Sequence, residues 1–191
     1  MTTMFEFDSE VWGHGWAQAA LRHGDQDAIL DASYITRALV DLLRALVSLV
    51  DGYREGYVEW CEEPGEYRWR LRREPDQEDV VSVAVLWFPR WEGIPDDGER
   101  RFDTRLKLAD LVTAIVAAAR RVLDDIGVAG YRQRWGEPFP SLELQILEPG
   151  WLRYSCLRRP EPAPPTACRP PRPAPTSAGP PTIDTRGHCH E

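Results

Sequence analysis

The sequence predicts an α+β domain followed by a proline-rich tail, and three observations carry that class. Within Glu55–Phe88, Tyr67, Trp69 and Leu71 alternate with Glu66, Arg68, Arg70 and Arg72. Period two with one polar side marks a strand whose sheet is buried on one face only. Two segments, Tyr34–Val50 and Leu106–Ile126, space apolar residues three and four apart, the stripe of an amphipathic helix. From about Arg158 large apolar residues almost vanish and proline dominates, a composition that cannot offset its ordering entropy by burial. The expected architecture has two layers: a mostly antiparallel sheet of four to six strands, with both long helices on one face. Residues 1–150 would form the domain and 151–191 a disordered tail.

Taken in order, Met4–Val11 opens as a strand, with Phe5 and Phe7 alternating with Glu6 and Asp8. Gly13-His14-Gly15 breaks it. Trp16–Arg22 and Asp27–Ala32 flank His23-Gly24-Asp25-Gln26, so the pair reads as a β-hairpin. Their alanines suit a short helix equally well, and the glycine turn decides for strand. Ser33 offers an N-cap for Tyr34–Val50, which Gly52 closes. Two strands then meet at Pro64–Gly65, with Val58 and Trp60 on the apolar side of Tyr67, Trp69 and Leu71. Val80–Phe88 is apolar on both sides apart from Ser82 and should be central in its sheet. Pro89 stops it. A turn-rich loop with Pro95 and Asp97–Gly98 leads to a strand at Glu99–Arg105. The helix Leu106–Ile126 ends at Gly127, and a short piece Gly130–Trp135 and a helix Ser141–Leu147 complete the domain.

With 191 residues, 42% of them hydrophobic, the chain can build one ordinary core. A net charge of −8 and a pI near 5.1 argue against a nucleic-acid binder, which needs a basic stripe to neutralise phosphates. Of the cysteines, only Cys61 lies in the expected domain, while Cys156, Cys168 and Cys189 lie in or near the tail. That spacing is no disulfide framework and suits a reducing compartment. The first residues, MTTMFEFDSE, lack the basic and apolar regions of a signal peptide. Asp and Arg interrupt every long apolar run, so no membrane span is expected. The expected location is the cytoplasm.

Chemistry-bearing groups are few. Arg68, Arg70 and Arg72, with Glu66 between them, suit bidentate capture of an anionic ligand or an acidic partner patch. They equally suit pairing across strands with Glu59, Glu66 and Asp103 as a solvated face, where each exposed pair contributes about 1 kcal/mol or less. Among the eight tryptophans, Trp60, Trp69 and Trp135 read as core. Trp87 and Trp91, around Phe88-Pro89-Arg90, read as an exposed aromatic lip suited to an interface. His14 and His23 with Cys61 form the one conceivable nucleophile–base set. Chance proximity explains it as readily. Glu62, Glu63 and Glu66 crowd one turn, whereas paired-carboxylate catalysis needs carboxylates opposed across a cleft. No phosphate-binding loop, dinucleotide fingerprint, HExxH or CxxC occurs, and no cofactor is implied. His188, Cys189 and His190 in the tail are weak metal ligands. The proline runs there suit polyproline recognition or a solubilising end.

The segments GWAQA (Gly15–Ala19), ASYITRAL (Ala32–Leu39), EEPGEYRWRL (Glu62–Leu71) and GYRQRWGEPFP (Gly130–Pro140) resemble small uncharacterised proteins of actinobacterial type. That resemblance covers about residues 5–148 and implies no activity or catalytic residue. In type the chain is also similar to immunity proteins of bacterial polymorphic toxin systems, which are small, acidic, cytoplasmic and α+β. The expected function is therefore a non-catalytic, cytoplasmic protein-binding module, immunity- or antitoxin-like. Its partner surface would comprise Glu66, Arg68, Arg70, Arg72, Trp87 and Trp91. The alternative is a small enzyme or ligand-binding domain with a cleft near Cys61, His14 or His23.

Overall fold

The structure, a computed structural model, describes residues 4–90 and 98–148. The chain divides into two units, residues 1–159 and 160–191, and the described residues belong to the first. Strands β1 (Glu6–Gly13), β2 (Trp16–His23) and β3 (Gln26–Ser33) form an antiparallel sheet in that order. After helix α1 (Ala38–Val50), strands β4 (Glu55–Cys61), β5 (Glu66–Glu74), β6 (Gln77–Phe88) and β7 (Glu99–Lys107) form a second antiparallel sheet, again in chain order. Helices α2 (Leu108–Trp135) and α3 (Ser141–Leu147) follow.

The α+β class stands, but the single sheet expected from the sequence is two sheets, of three and four strands. The reason lies in what period two encodes. It shows that one side of a strand is buried and says nothing of what covers it. Phe7, Ala19, Leu21, Leu30 and Ala32 make the buried side of the first sheet, and that side covers part of the layer expected for the helices. Phe7 meets Trp69 edge-on at 6.3 Å, and Phe5 meets Phe102 at 6.2 Å. One end of β3 reaches β7, where the Gln26 Oε1 accepts the Asp103 N–H at 2.8 Å. The chain just past its other end reaches β4, where the Thr36 hydroxyl accepts the Cys61 N–H at 3.0 Å. The strand therefore crosses the second sheet from edge to edge. Between β1 and β2, Gly15 has φ +78°, and a Cβ there would lie 2.6 Å from the Tyr34 ring, so glycine alone fits.

Helix α1 begins at Ala38 rather than Tyr34. Ser33 ends β3 with its hydroxyl buried and no hydrogen-bond partner, so it is not the N-cap. Leu39, Leu42, Leu43, Leu46 and Leu49 are the buried stripe. The helix lies close against β4: a Cβ on Gly56 would approach the Ala45 Cβ to 3.3 Å. Trp60 fixes the other end by donating its indole N–H to the Ala38 carbonyl at 3.0 Å. Trp60 and Trp69, with ring centroids 5.0 Å apart, fill the space between helix and sheets.

Strand β6 lies between β5 and β7, as its two-sided apolar sequence predicts. Leu106 and Lys107 belong to β7, so α2 starts at Leu108. At φ 67° and ψ 173° Gly127 is non-helical and ends the first helical stretch where the sequence predicts; a second stretch joined to it across this kink takes in the Gly130–Trp135 piece. Arg121 and Arg134 of α2 donate to the carbonyls of Phe7 (3.0 Å) and Val11 (3.1 Å), so α2 lies along the β1 edge. Tyr131, Trp135 and Phe139 close that end of the core. Among the described residues no helix is long and apolar enough to cross a membrane.

Candidate functional site

The outer face of the four-stranded sheet is built from rows fixed by the register. Cys61 lies opposite Glu66 and Phe88, Glu59 opposite Arg68 and Leu86, Tyr57 opposite Arg70 and Ala84, and Glu55 opposite Arg72 and Ser82. The sequence predicts a solvated face throughout. Instead Glu66 and Arg68 are buried, at 8% and 7% exposure, Arg70 is half-buried, and Arg72 is exposed. The reason is the neighbouring strand. Residues Leu86 and Phe88 of β6 stand on the same face and are themselves buried, so the two polar groups there share an apolar setting. Arg68 donates its Nε–H to the Glu66 Oε1 at 2.7 Å, and its guanidinium sits 4.2 Å over the Phe88 ring. A buried charge needs such partners. At the other end Arg72 and Glu55 form an open ion pair at 3.5 Å.

Tyr57 stands in the middle of this face with about half its surface exposed. Partial burial pushes its phenol up to about 12; Arg68 opposes that rise, and Glu59 adds to it by charge and hydrogen bonding. Tyr57 is not among the candidate residues that the sequence singles out. Its signal was the alternation of Glu55, Tyr57 and Glu59 with Gly56, Val58 and Trp60.

Strand β4 is an edge. The Arg73 N–H to Arg54 carbonyl bond and the Glu62 N–H to Gly65 carbonyl bond, both 2.8 Å, fix which residues bond across to β5. With antiparallel alternation, the backbone groups of Gly56, Val58 and Trp60 point to β5, and those of Glu55, Tyr57, Glu59 and Cys61 point away from the sheet. The Cys61 N–H is taken by Thr36. The others face an open groove of about 620 Å³ between β4 and α1, lined by Ile35, Asp41, Ala45 and residues 55–59 among others. Its helix wall is electrostatically settled, since Arg37 pairs with Asp41 at 3.3 Å and Arg44 with Glu143 at 2.8 Å.

Trp87 is no exposed lip. The register puts it beside Tyr67, on the inner side of the sheet, where it is half-buried. Its indole N–H donates to the Glu62 Oε2 at 2.5 Å, and the Arg101 guanidinium lies 5.0 Å from its ring. Sequence proximity to Pro89 suggested a loop residue, but parity along β6 decides the side. Burial pushes the Tyr67 phenol up to about 12, with the Glu62 carboxylate adding to the rise. Trp91 and the tail residues His188, Cys189 and His190 lie outside the described residues.

The nucleophile–base set is dispersed. Cys61 is buried at the end of β4. His23 engages the Thr104 hydroxyl of β7 at 2.6 Å. Strands β4 and β7 are opposite edges of one sheet, separated by three strand spacings of roughly 4.8 Å, or about 14 Å. His14 sits in the β1–β2 turn, whose Gly15 N–H bonds to the Arg134 carbonyl at 2.8 Å. Among the described residues no three His, Cys, Asp or Glu side chains gather as a metal set.

Compared with known proteins, the chain matches no family model, no curated protein and no solved structure.

Proposed function

We propose that this chain is a non-catalytic, cytoplasmic protein-binding module, with an immunity- or antitoxin-like role as its concrete form. The observation that carries the reading is Tyr57. A half-exposed aromatic, it stands between Glu55 and Glu59 on one strand and faces Arg70 on the next, with the Glu55–Arg72 pair beside it. Aromatic and arginine side chains are the groups that dominate binding energy at protein interfaces. The buried Arg68–Glu66 pair under Phe88 gives this face a stiff base. An acidic chain of net charge −8 suits a basic partner.

Capture of a stoichiometric partner from lysate of the chain's own cell tests the reading. Tyr57→Ala with Arg72→Ala is expected to weaken capture by roughly tenfold or more while the domain stays folded, with the lost exposed ion pair costing at most about 1 kcal/mol. Undiminished capture by the folded variant would remove this face from the function, and no partner for the parent chain would remove the binding reading.

A further inference from the structure

Resting on the protein-binding reading above, we propose that β4 is extended by a guest strand. Its occupant is an extended segment of a partner protein, with basic side chains at alternate positions and apolar ones between. Three observations meet at this edge. First, the backbone groups of Tyr57 and Glu59 point out of the sheet into the groove. The edges β7 and β1 differ, because Gln26 occupies the Asp103 N–H and two arginines occupy the Phe7 and Val11 carbonyls. An edge with outward donors and acceptors is a template for strand addition.

Second, the groove of about 620 Å³ lies where a further strand would run, about 4.8 Å from β4. Exposed apolar residues gather around it. They are Ile35 and Tyr57, both of which line it.

Third, charge selects the guest. Side chains directly opposite on neighbouring strands share a face. Guest residues opposite Glu55 and Glu59 would therefore meet two carboxylates, the first in an exposed, exchangeable pair with Arg72 at 3.5 Å, with the Tyr57 ring between them, a setting that favours cations. Guest residues opposite Gly56 and Val58 would face Ala45 and Ile35, where the close Gly56–Ala45 approach leaves room for apolar side chains of modest size. Because Arg37 and Arg44 of the helix wall are already paired, that wall adds little repulsion.

The test is selection of displayed random peptides against the full-length protein. Enriched peptides are expected to carry Lys or Arg at every second position. An enriched peptide should slow hydrogen exchange at the Tyr57 and Glu59 amides. Glu59→Pro removes one outward N–H without touching the β4–β5 ladder and should weaken that peptide at least about tenfold. Glu55→Lys with Glu59→Lys should shift the selection to acidic peptides, and this arm stands even where the proline variant misfolds. No enrichment, peptides without alternation, or full affinity in folded Glu59→Pro would each overturn the proposal. A lysate partner held by Glu59→Pro but lost by Tyr57→Ala would overturn the edge while keeping the protein-binding reading. A parent chain that captures no partner would remove that reading instead.

Discussion

Arg68 shows how one residue's surroundings reverse its apparent role. In the sequence it is the middle of a row of arginines; in the fold it is 7% exposed, bonded to Glu66 and stacked on Phe88. Replacing one member of such a pair leaves the other charge buried alone. Arg68→Ala is therefore expected to cost about 3–5 kcal/mol, readable in urea unfolding, whereas Arg72→Ala, an exposed pair, should cost at most about 1 kcal/mol. Equal effects would mean that the Arg68 environment is as wet as that of Arg72. Charge reversal at Arg68 is unsuited to probing a surface, because it would set a second carboxylate against Glu66.

At the scale of elements, α2 carries a break at Gly127, whose φ of 67° and ψ of 173° are open to glycine and little else. No atom lies within 4 Å of a Cβ built there, so Gly127→Ala tests backbone conformation alone. It should destabilise the protein by about 1–3 kcal/mol, and an unchanged urea midpoint would show that the kink is not required. The elements themselves were largely legible. Helical spacing in α1 and α2, the turn glycines and the two-sided apolar run of β6 are local signals, and local signals survive folding. Four things were not legible. The cover over each strand's apolar face depends on partners distant in the chain, so one sheet was read where two exist. The burial of Glu66 and Arg68 depends on Leu86 and Phe88, which β6 brings alongside. The inner position of Trp87 follows from parity along β6, while the edge status of β4, and with it the groove, follows from strand order.

The whole molecule ties its phenols into its stability. Burial raises Tyr67 to about 12, and burial also raises Tyr131, helped by Glu137. The folded chain then holds protons that the unfolded chain, with phenols near 10, has begun to release. Stability is therefore fully present below about pH 10 and is lost as pH climbs through about 12. Urea midpoints recorded upward from neutral pH should stay flat with respect to these groups and then fall. Tyr67→Phe should soften that fall, and an identical alkaline profile in the variant would exclude Tyr67 as a contributor.

The closeness of Trp60 and Trp69 has an optical consequence. Two indoles 5.0 Å apart and inclined by 53° do not absorb as independent chromophores, because their transition dipoles couple and the excited state is shared. One ring belongs to the edge strand β4 and the other to its neighbour β5. The exciton signal of that pair in circular dichroism thus reports, without any label, on the spacing between the edge strand and the rest of its sheet.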